Sequence, residues 1–168
     1  MTLPFVFDDG GRAAAGFKGQ TNDCVVRAIA IAMQLPYRDV YDELYERQRY
    51  YAETSRSKVA RRLKFQGTSP RLGVVREAFD PFILDRGWQW HPTMLIGSGC
   101  KVHLADGELP LGRLIVRPAN HVCAVIDGTI RDTYDPNDVD GRRPWWGGDS
   151  EPTGPRCVYG YFYDPEGI

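Results

Sequence analysis

The chain has 168 residues, of which 42% are hydrophobic and 26% are charged, an ordinary composition for a soluble globular domain. Its 21 lysines and arginines nearly balance 22 aspartates and glutamates, so we expect no general affinity for nucleic acids or membrane surfaces. Every apolar run is shorter than the roughly 18 residues that span a bilayer. The start, MTLPFVFDDGG, lacks the basic region of a secretory signal. A single cytoplasmic domain over residues 1–168 is therefore expected.

The chain begins with LPFVF, which predicts a short strand or extended arm before a glycine- and alanine-rich loop. Residues 24–34 follow two residues that favour helix starts, Asn22 and Asp23, and are apolar almost all round, which predicts a buried helix. Pro36 then opens a second helix, in which apolar and tyrosine residues recur every three or four positions.

The middle of the chain is more polar. The basic stretch SRSKVARRLKFQG reads as a solvated helix face or loop, with a partner-binding patch as the alternative. A third helix is expected over about residues 72–86, interrupted by Pro81. The alternating Trp88 and Trp90 of WQWHP indicate a half-buried strand that packs on the core.

Glycines separate short β-prone runs in the second half of the chain. These runs are CKVHL, GRLIVRP, HVCAVID, TIRDTYD and RCVYGYFYDP. Helices in the first half and strands in the second predict an α+β fold with helices packed on an antiparallel sheet.

Cys24 lies where the first apolar helix begins. A helix N-terminus presents unpaired N–H groups and partial positive charge, which favour a thiolate and can stabilise an oxyanion. Free cysteine is also among the most buried residue types, so a purely structural cysteine is the alternative.

A predicted β-hairpin supplies the partners that a nucleophilic cysteine needs. The dipeptide Asp127–Gly128 favours a two-residue type I′ turn between two β-prone runs. In that register His121 lies opposite Tyr134, and Asp132 falls diagonally on the same face. His121 would then accept the Cys24 proton, and Asp132 would orient the imidazole.

The segments NDCVVRAIAIA and HVCAVIDGTIRDTYDP, with the strand GRLIVRP before the histidine, resemble papain-like cysteine peptidases. The resemblance is to small bacterial and phage members similar to the peptidase C39 group. It implies a papain-like core, a Cys24–His121–Asp132 triad and a hydrolase that needs no cofactor. The implied partner is a peptide or protein substrate, with water or an amine as the acyl acceptor.

Two features depart from that family's pattern. The glutamine whose amide completes the oxyanion hole usually precedes the nucleophile by several residues, whereas Gln20 and Asn22 are closer, and either can donate. Related peptidases often take their acid from an Asp-Pro pair, which makes Asp135 the alternative to Asp132. The hairpin register favours Asp132.

Three other interpretations stay open. A zinc site is possible from the nitrogen and sulfur ligands of Cys100, His103, His121 and Cys123. The chain has no CxxC pair, however, and we expect all four cysteines to remain free thiols in a reducing compartment. The loop GRRPWWGGDSEPTGP, with Trp145 and Trp146, is a cleft wall or lid, or a plain surface loop. A catalytically silent papain-like interaction module of a phage or mobile element is the non-enzymatic alternative.

Overall fold

The computed structural model describes residues 1–19, 21–138 and 154–167. Within these ranges the fold is α+β, with four α-helices and a six-stranded sheet. The helices are α1 (Cys24–Met33), α2 (Tyr37–Thr54), α3 (Lys58–Gln66) and α4 (Arg76–Leu84), with a 3₁₀ turn at Pro70–Leu72. The strands are β1 (Phe5–Phe7), β2 (Gln89–Pro92), β3 (Arg113–Pro118), β4 (Cys123–Ile126), β5 (Thr129–Asp132) and β6 (Val158–Tyr163).

The sheet has the order β1-β5-β4-β3-β6-β2 and is mixed. The expectation of an antiparallel sheet is wrong at one edge, where β1 pairs parallel with β5 and Phe5 lies opposite Ile130. A parallel pair needs a long connection, and the four α-helices with strands β2, β3 and β4 lie between β1 and β5 in the chain. The remaining pairs are antiparallel.

Alternate residues of the sheet face two separate apolar clusters, as the period of two predicts. On the helix side, Ile115, Ala124 and Phe162 pack with side chains of α1, α2 and α4. On the other side, residues such as Leu114 and Val125 pack with Leu104 from the loop before β3. Helix α1 lies against β3, β4 and β5, so its position relative to the sheet is fixed by the core.

Strand β2 is held by tryptophan packing, in agreement with the sequence prediction. Trp88 is buried, and the Trp90 ring lies 4.7 Å from that of Phe162. Gly160 leaves room for this ring, because a Cβ there would come within 2.3 Å of Trp90 Cζ2.

Two predicted elements differ from those observed. Helix α4 continues through Pro81, because a proline removes only one intrahelical donor and Phe79, Phe82 and Ile83 anchor the helix in the core. The run CKVHL forms no strand, and its pairing is limited to an isolated bridge between His103 and Cys157.

The expectation that all four cysteines are free is also wrong. Cys100 and Cys157 form a disulfide, with the sulfurs 2.03 Å apart, whereas Cys24 and Cys123 are free thiols. The bond joins segments 57 residues apart in sequence, and the cysteine spacing carried no sign of it.

None of the helices within the described ranges has the length and apolar character needed to cross a membrane. The predicted loop with Trp145 and Trp146 lies outside the described residues, apart from its last two positions.

Candidate active site

Cys24 is the first residue of α1, and its side chain is half-buried. The N–H groups of the first helical turn have no partner within the helix and form the positive end of its dipole. Val26 and Ile29, both fully buried, anchor the same helix in the core. The thiol therefore sits on a rigid support, beside donors that favour its ionised form.

The hairpin of β4 and β5 has the predicted register. Asp127 and Gly128 have φ angles of 47° and 75°, as a type I′ turn requires. Ile126 pairs with Thr129 across this turn. His121 lies just before β4, and Asp132 is the last residue of β5, so the turn brings two residues 11 positions apart to the same end of the hairpin.

His121 and Asp132 form a buried hydrogen bond. The distance from Nε2 of His121 to Oδ2 of Asp132 is 2.6 Å, and both side chains are buried. The Thr133 backbone N–H donates to the other oxygen of Asp132 at 2.7 Å. The carboxylate accepts from Nε2, which fixes the plane of the imidazole ring and leaves Nδ1 as the nitrogen available to the thiol.

Cys24 lines the same cavity as His121 and lies close enough for the imidazole to shift its pKa. Burial raises the pKa of the Cys24 thiol, but the hydrogen bond and charge of His121 and the Val122 backbone N–H outweigh it, so this pKa is lowered. Burial lowers the pKa of His121, but its bonds to Asp132 and Cys24 outweigh burial and raise it. Opposite shifts in the two partners favour a thiolate–imidazolium pair.

Tyr134 lies against the same ring. Its hydroxyl oxygen is 3.1 Å from Nδ1 of His121, and the two ring centroids are 5.1 Å apart. The sequence register placed Tyr134 opposite His121 but assigned it no role at the site. A hydroxyl at this distance is a polar contact of the ring nitrogen that does not bond Asp132.

The side chain of the alternative acid, Asp135, forms a local hydrogen bond. Its Oδ1 accepts the Asn137 backbone N–H at 2.9 Å, whereas the carboxylate bonded to His121 is that of Asp132. Of the two predicted oxyanion donors, Asn22 is exposed and lines the cavity that contains Cys24. Gln20 lies outside the described residues.

Sequence reasoning missed a buried charge network behind the triad. Asp23 makes no capping bond but is fully buried, where it binds Arg27 and accepts from the Tyr37 hydroxyl at 2.5 Å. Arg12 adds a third contact, with its Nε 3.0 Å from Asp23. Arg27 also reaches Asp132, with Nη2 3.3 Å from Oδ1. Arg27 therefore connects the start of α1 to the carboxylate that orients His121.

The signal for this network was present in the sequence. Asp23 and Arg27 are four residues apart, the spacing of helical ion pairs, and Arg27 is one of few polar residues in an apolar helix. A buried charge requires a partner, so Arg27 already implied a carboxylate near α1.

A cavity of about 1510 Å³ opens on the triad. Cys24 and His121 line it with residues from α3, the turn before α4 and the end of β3. The second free thiol, Cys123, is buried in β4 and is not among the lining residues. Burial raises the pKa of Cys123 well above its usual range, so the pKa values of the two free thiols are shifted in opposite directions.

The four residues predicted as alternative zinc ligands have other contacts in the structure. Cys100 is bonded to Cys157, His103 Nδ1 lies 3.0 Å from Glu108, and His121 belongs to the triad. Across the part of the chain that the structure describes, no group of three or more His, Cys, Asp and Glu side chains is arranged to hold a metal ion.

Comparison of the chain with protein-family models, curated proteins and solved structures found no match.

Proposed function

We propose that this protein is a cysteine-dependent hydrolase that cleaves an amide bond of a peptide or protein through a thioester acyl-enzyme. The observation that carries the proposal is the buried His121–Asp132 hydrogen bond beside Cys24, with Cys24 and His121 both at the wall of a large cavity. The shifted pKa values of Cys24 and His121 support an ionised pair. A cysteine and a histidine with a purely structural role do not require shifted pKa values or a position on a cavity wall.

The proposed reaction begins with attack of the Cys24 thiolate on a carbonyl carbon, which forms a C–S bond and an oxyanion. The Nδ1–H of His121 then protonates the leaving nitrogen, and the C–N bond breaks. Water attacks the thioester while His121 takes its proton. The C–S bond breaks to release the acid, and the thiolate–imidazolium pair is restored.

Two groups are proposed to bind the oxyanion. The Cys24 backbone N–H belongs to the first turn of α1 and has no acceptor within the helix. The Asn22 side chain lines the same cavity. In other enzymes, removal of one oxyanion donor lowers kcat about 10²- to 10³-fold.

We also propose a papain-like core. The supporting features are the order Cys, His, Asp along the chain, a helix that begins at the cysteine, and a sheet that carries the histidine and the acid. The Cys100–Cys157 disulfide favours an oxidising compartment, so the cytoplasmic location expected from the sequence is not part of the proposal.

The test is incubation of the protein with a mixture of peptides derived from a proteome digest, with mass spectrometry of the products. We expect new termini with wild type and none with Cys24→Ala or His121→Ala. A Cys123→Ala variant is the matched control, and it should retain the cleavage. Cleavage by Cys24→Ala, or no cleavage by the wild type, would contradict the proposed hydrolase and favour the silent interaction module.

A further inference from the structure

Arginine side chains dominate the charge of the cavity that contains Cys24. Its acidic lining residues, within the described ranges, are Asp23 and Glu77. The arginines that line it are Arg12, Arg27, Arg62, Arg71, Arg76 and Arg117. Because the chain as a whole has a net charge of −1, this positive charge is concentrated at the cavity and is not a property of the general surface.

Half of these arginines are neutralised by carboxylates. Arg12 and Arg27 both bind the buried Asp23. Arg76 pairs with Asp80 at 3.1 Å, four residues along α4. These three side chains are paired with carboxylates and contribute little net charge to the cavity.

The other three keep their charge. Within the described ranges, Arg62, Arg71 and Arg117 take part in none of the ion pairs closer than 4.0 Å. Arg71 donates to the Lys18 carbonyl oxygen at 2.7 Å, a neutral acceptor that positions the guanidinium without neutralising it. Arg62 is exposed on α3. Three arginines without an ion-pair partner therefore share one cavity with the proposed nucleophile, and Glu77 is the one lining carboxylate, within the described ranges, that no such pair uses.

Arg117 is the most constrained of the three. Its guanidinium lies 5.6 Å from the Trp90 ring centroid and 6.0 Å from that of Phe79, contacts that hold it in place. Burial lowers the pKa of Arg117 and the nearby charge of Arg76 lowers it further, while the charge of Asp80 offsets part of this effect. A bound anion would add to that offset.

We infer that this cavity binds polypeptide segments with aspartate or glutamate side chains close to the bond that Cys24 attacks. The inference rests on the proposed function, and it names the substrate class of the same site. A polypeptide is favoured over a nucleic acid because a thiolate requires an acyl carbon, which a nucleic-acid backbone lacks. Leu72 and Tyr159 also line the cavity and are exposed, which suits apolar side chains next to the acidic ones.

The test uses two chloroacetyl peptides that alkylate thiols, chloroacetyl-Ala-Glu-Glu-amide and its isostere chloroacetyl-Ala-Gln-Gln-amide. The rate of labelling at Cys24 is measured by peptide mapping and divided by the rate of each reagent with 2-mercaptoethanol, a thiol without other charged groups. An exposed ion pair contributes up to about a five-fold effect. We therefore expect the glutamate reagent to label Cys24 about 5- to 20-fold faster at low salt, with the ratio approaching one in 1 M NaCl.

Arg62→Gln should reduce the ratio about two- to five-fold. Arg61→Gln is the matched control, because Arg61 is exposed on the same helix but does not line the cavity, and it should leave the ratio unchanged. A ratio of one or below, or a ratio indifferent to salt and to Arg62→Gln, would overturn the inference. So would stronger protection of Cys24 by a single-stranded oligonucleotide than by an acetylated Ala-Glu-Glu peptide.

These outcomes are separable from failure of the proposed function. The ratio compares two reagents at one sulfur and is measurable whether labelling is fast or slow. Fast labelling of Cys24 with a ratio of one would reject acidic substrates alone. Slow labelling by both reagents, no faster than with 2-mercaptoethanol, would count against an activated thiol whatever the ratio.

Discussion

Replacement of Asp132 by asparagine removes the charge behind His121 and preserves the size of the side chain. In the folded protein Asp132 Oδ2 lies 2.6 Å from Nε2 of His121, and the side chain is almost fully buried. Loss of the charge replaces a charge-assisted hydrogen bond with at most a neutral one, which stabilises the imidazolium less, so the pKa of His121 should fall and that of Cys24 should rise. The thiolate form of Cys24 should then persist only at higher pH.

The size of the effect follows from the type of bond. A hydrogen bond to a charged group contributes about 1.5–3 kcal/mol, which corresponds to about a 10- to 150-fold loss in reactivity. The assay is the second-order rate constant of Cys24 alkylation by iodoacetamide, measured from pH 4 to 9. The low-pH limb of the profile should move to higher pH in Asp132→Asn.

Asp135→Asn is the matched control, because the Asp135 side chain accepts a local backbone N–H bond from Asn137 and the carboxylate bonded to His121 is that of Asp132. Its profile should coincide with that of the wild type, and circular dichroism should show both variants folded. An unchanged profile in Asp132→Asn, or a larger effect of Asp135→Asn, would refute the assignment of the acid.

Three further predictions concern stability. Thiol titration of the unfolded, unreduced chain should find two free thiols, those of Cys24 and Cys123. Reduction of the disulfide should lower the free energy of unfolding by about 4 kcal/mol, because 57 residues separate its cysteines. Four titratable thiols before reduction would contradict the disulfide. Phe82→Ala should cost about 3–5 kcal/mol in urea unfolding because Phe82 is fully buried, whereas Phe65→Ala, 93% exposed, should change stability by less than about 0.5 kcal/mol. The lowered pKa of Asp23 stabilises the fold above about pH 4 and is lost on further acidification, so Asp23→Asn should flatten the dependence of unfolding free energy on pH below 4; an unchanged slope would argue against the network.

Local signals in the sequence predicted most of the site. The Asp127–Gly128 turn determined the hairpin register, and a period of two then decided that Asp132 shares a face with His121. The helix start at Cys24 was predicted from the residue types of Asn22 and Asp23 and from the apolar run, although the Asp23 side chain makes no capping bond. These features depend on residues close together in the chain, which is why pattern and turn chemistry were sufficient.

Long-range features were beyond such reasoning. The parallel pairing of β1 with β5 and the Cys100–Cys157 disulfide join segments far apart in sequence. Asp23 was expected to cap α1, but the charges of Arg12 and Arg27 outweigh the capping role. Tertiary packing overrides a local preference in such cases.

The most direct test of the central claim is the alkylation of the two free thiols by iodoacetamide at pH 6 in the native protein. A Cys24 thiolate paired with His121 should be labelled at least about a hundred-fold faster than Cys123, whose burial keeps it protonated. His121→Ala should remove most of that difference. Equal and slow labelling of both cysteines, or fast labelling of Cys24 that survives His121→Ala, would contradict an activated nucleophile at Cys24.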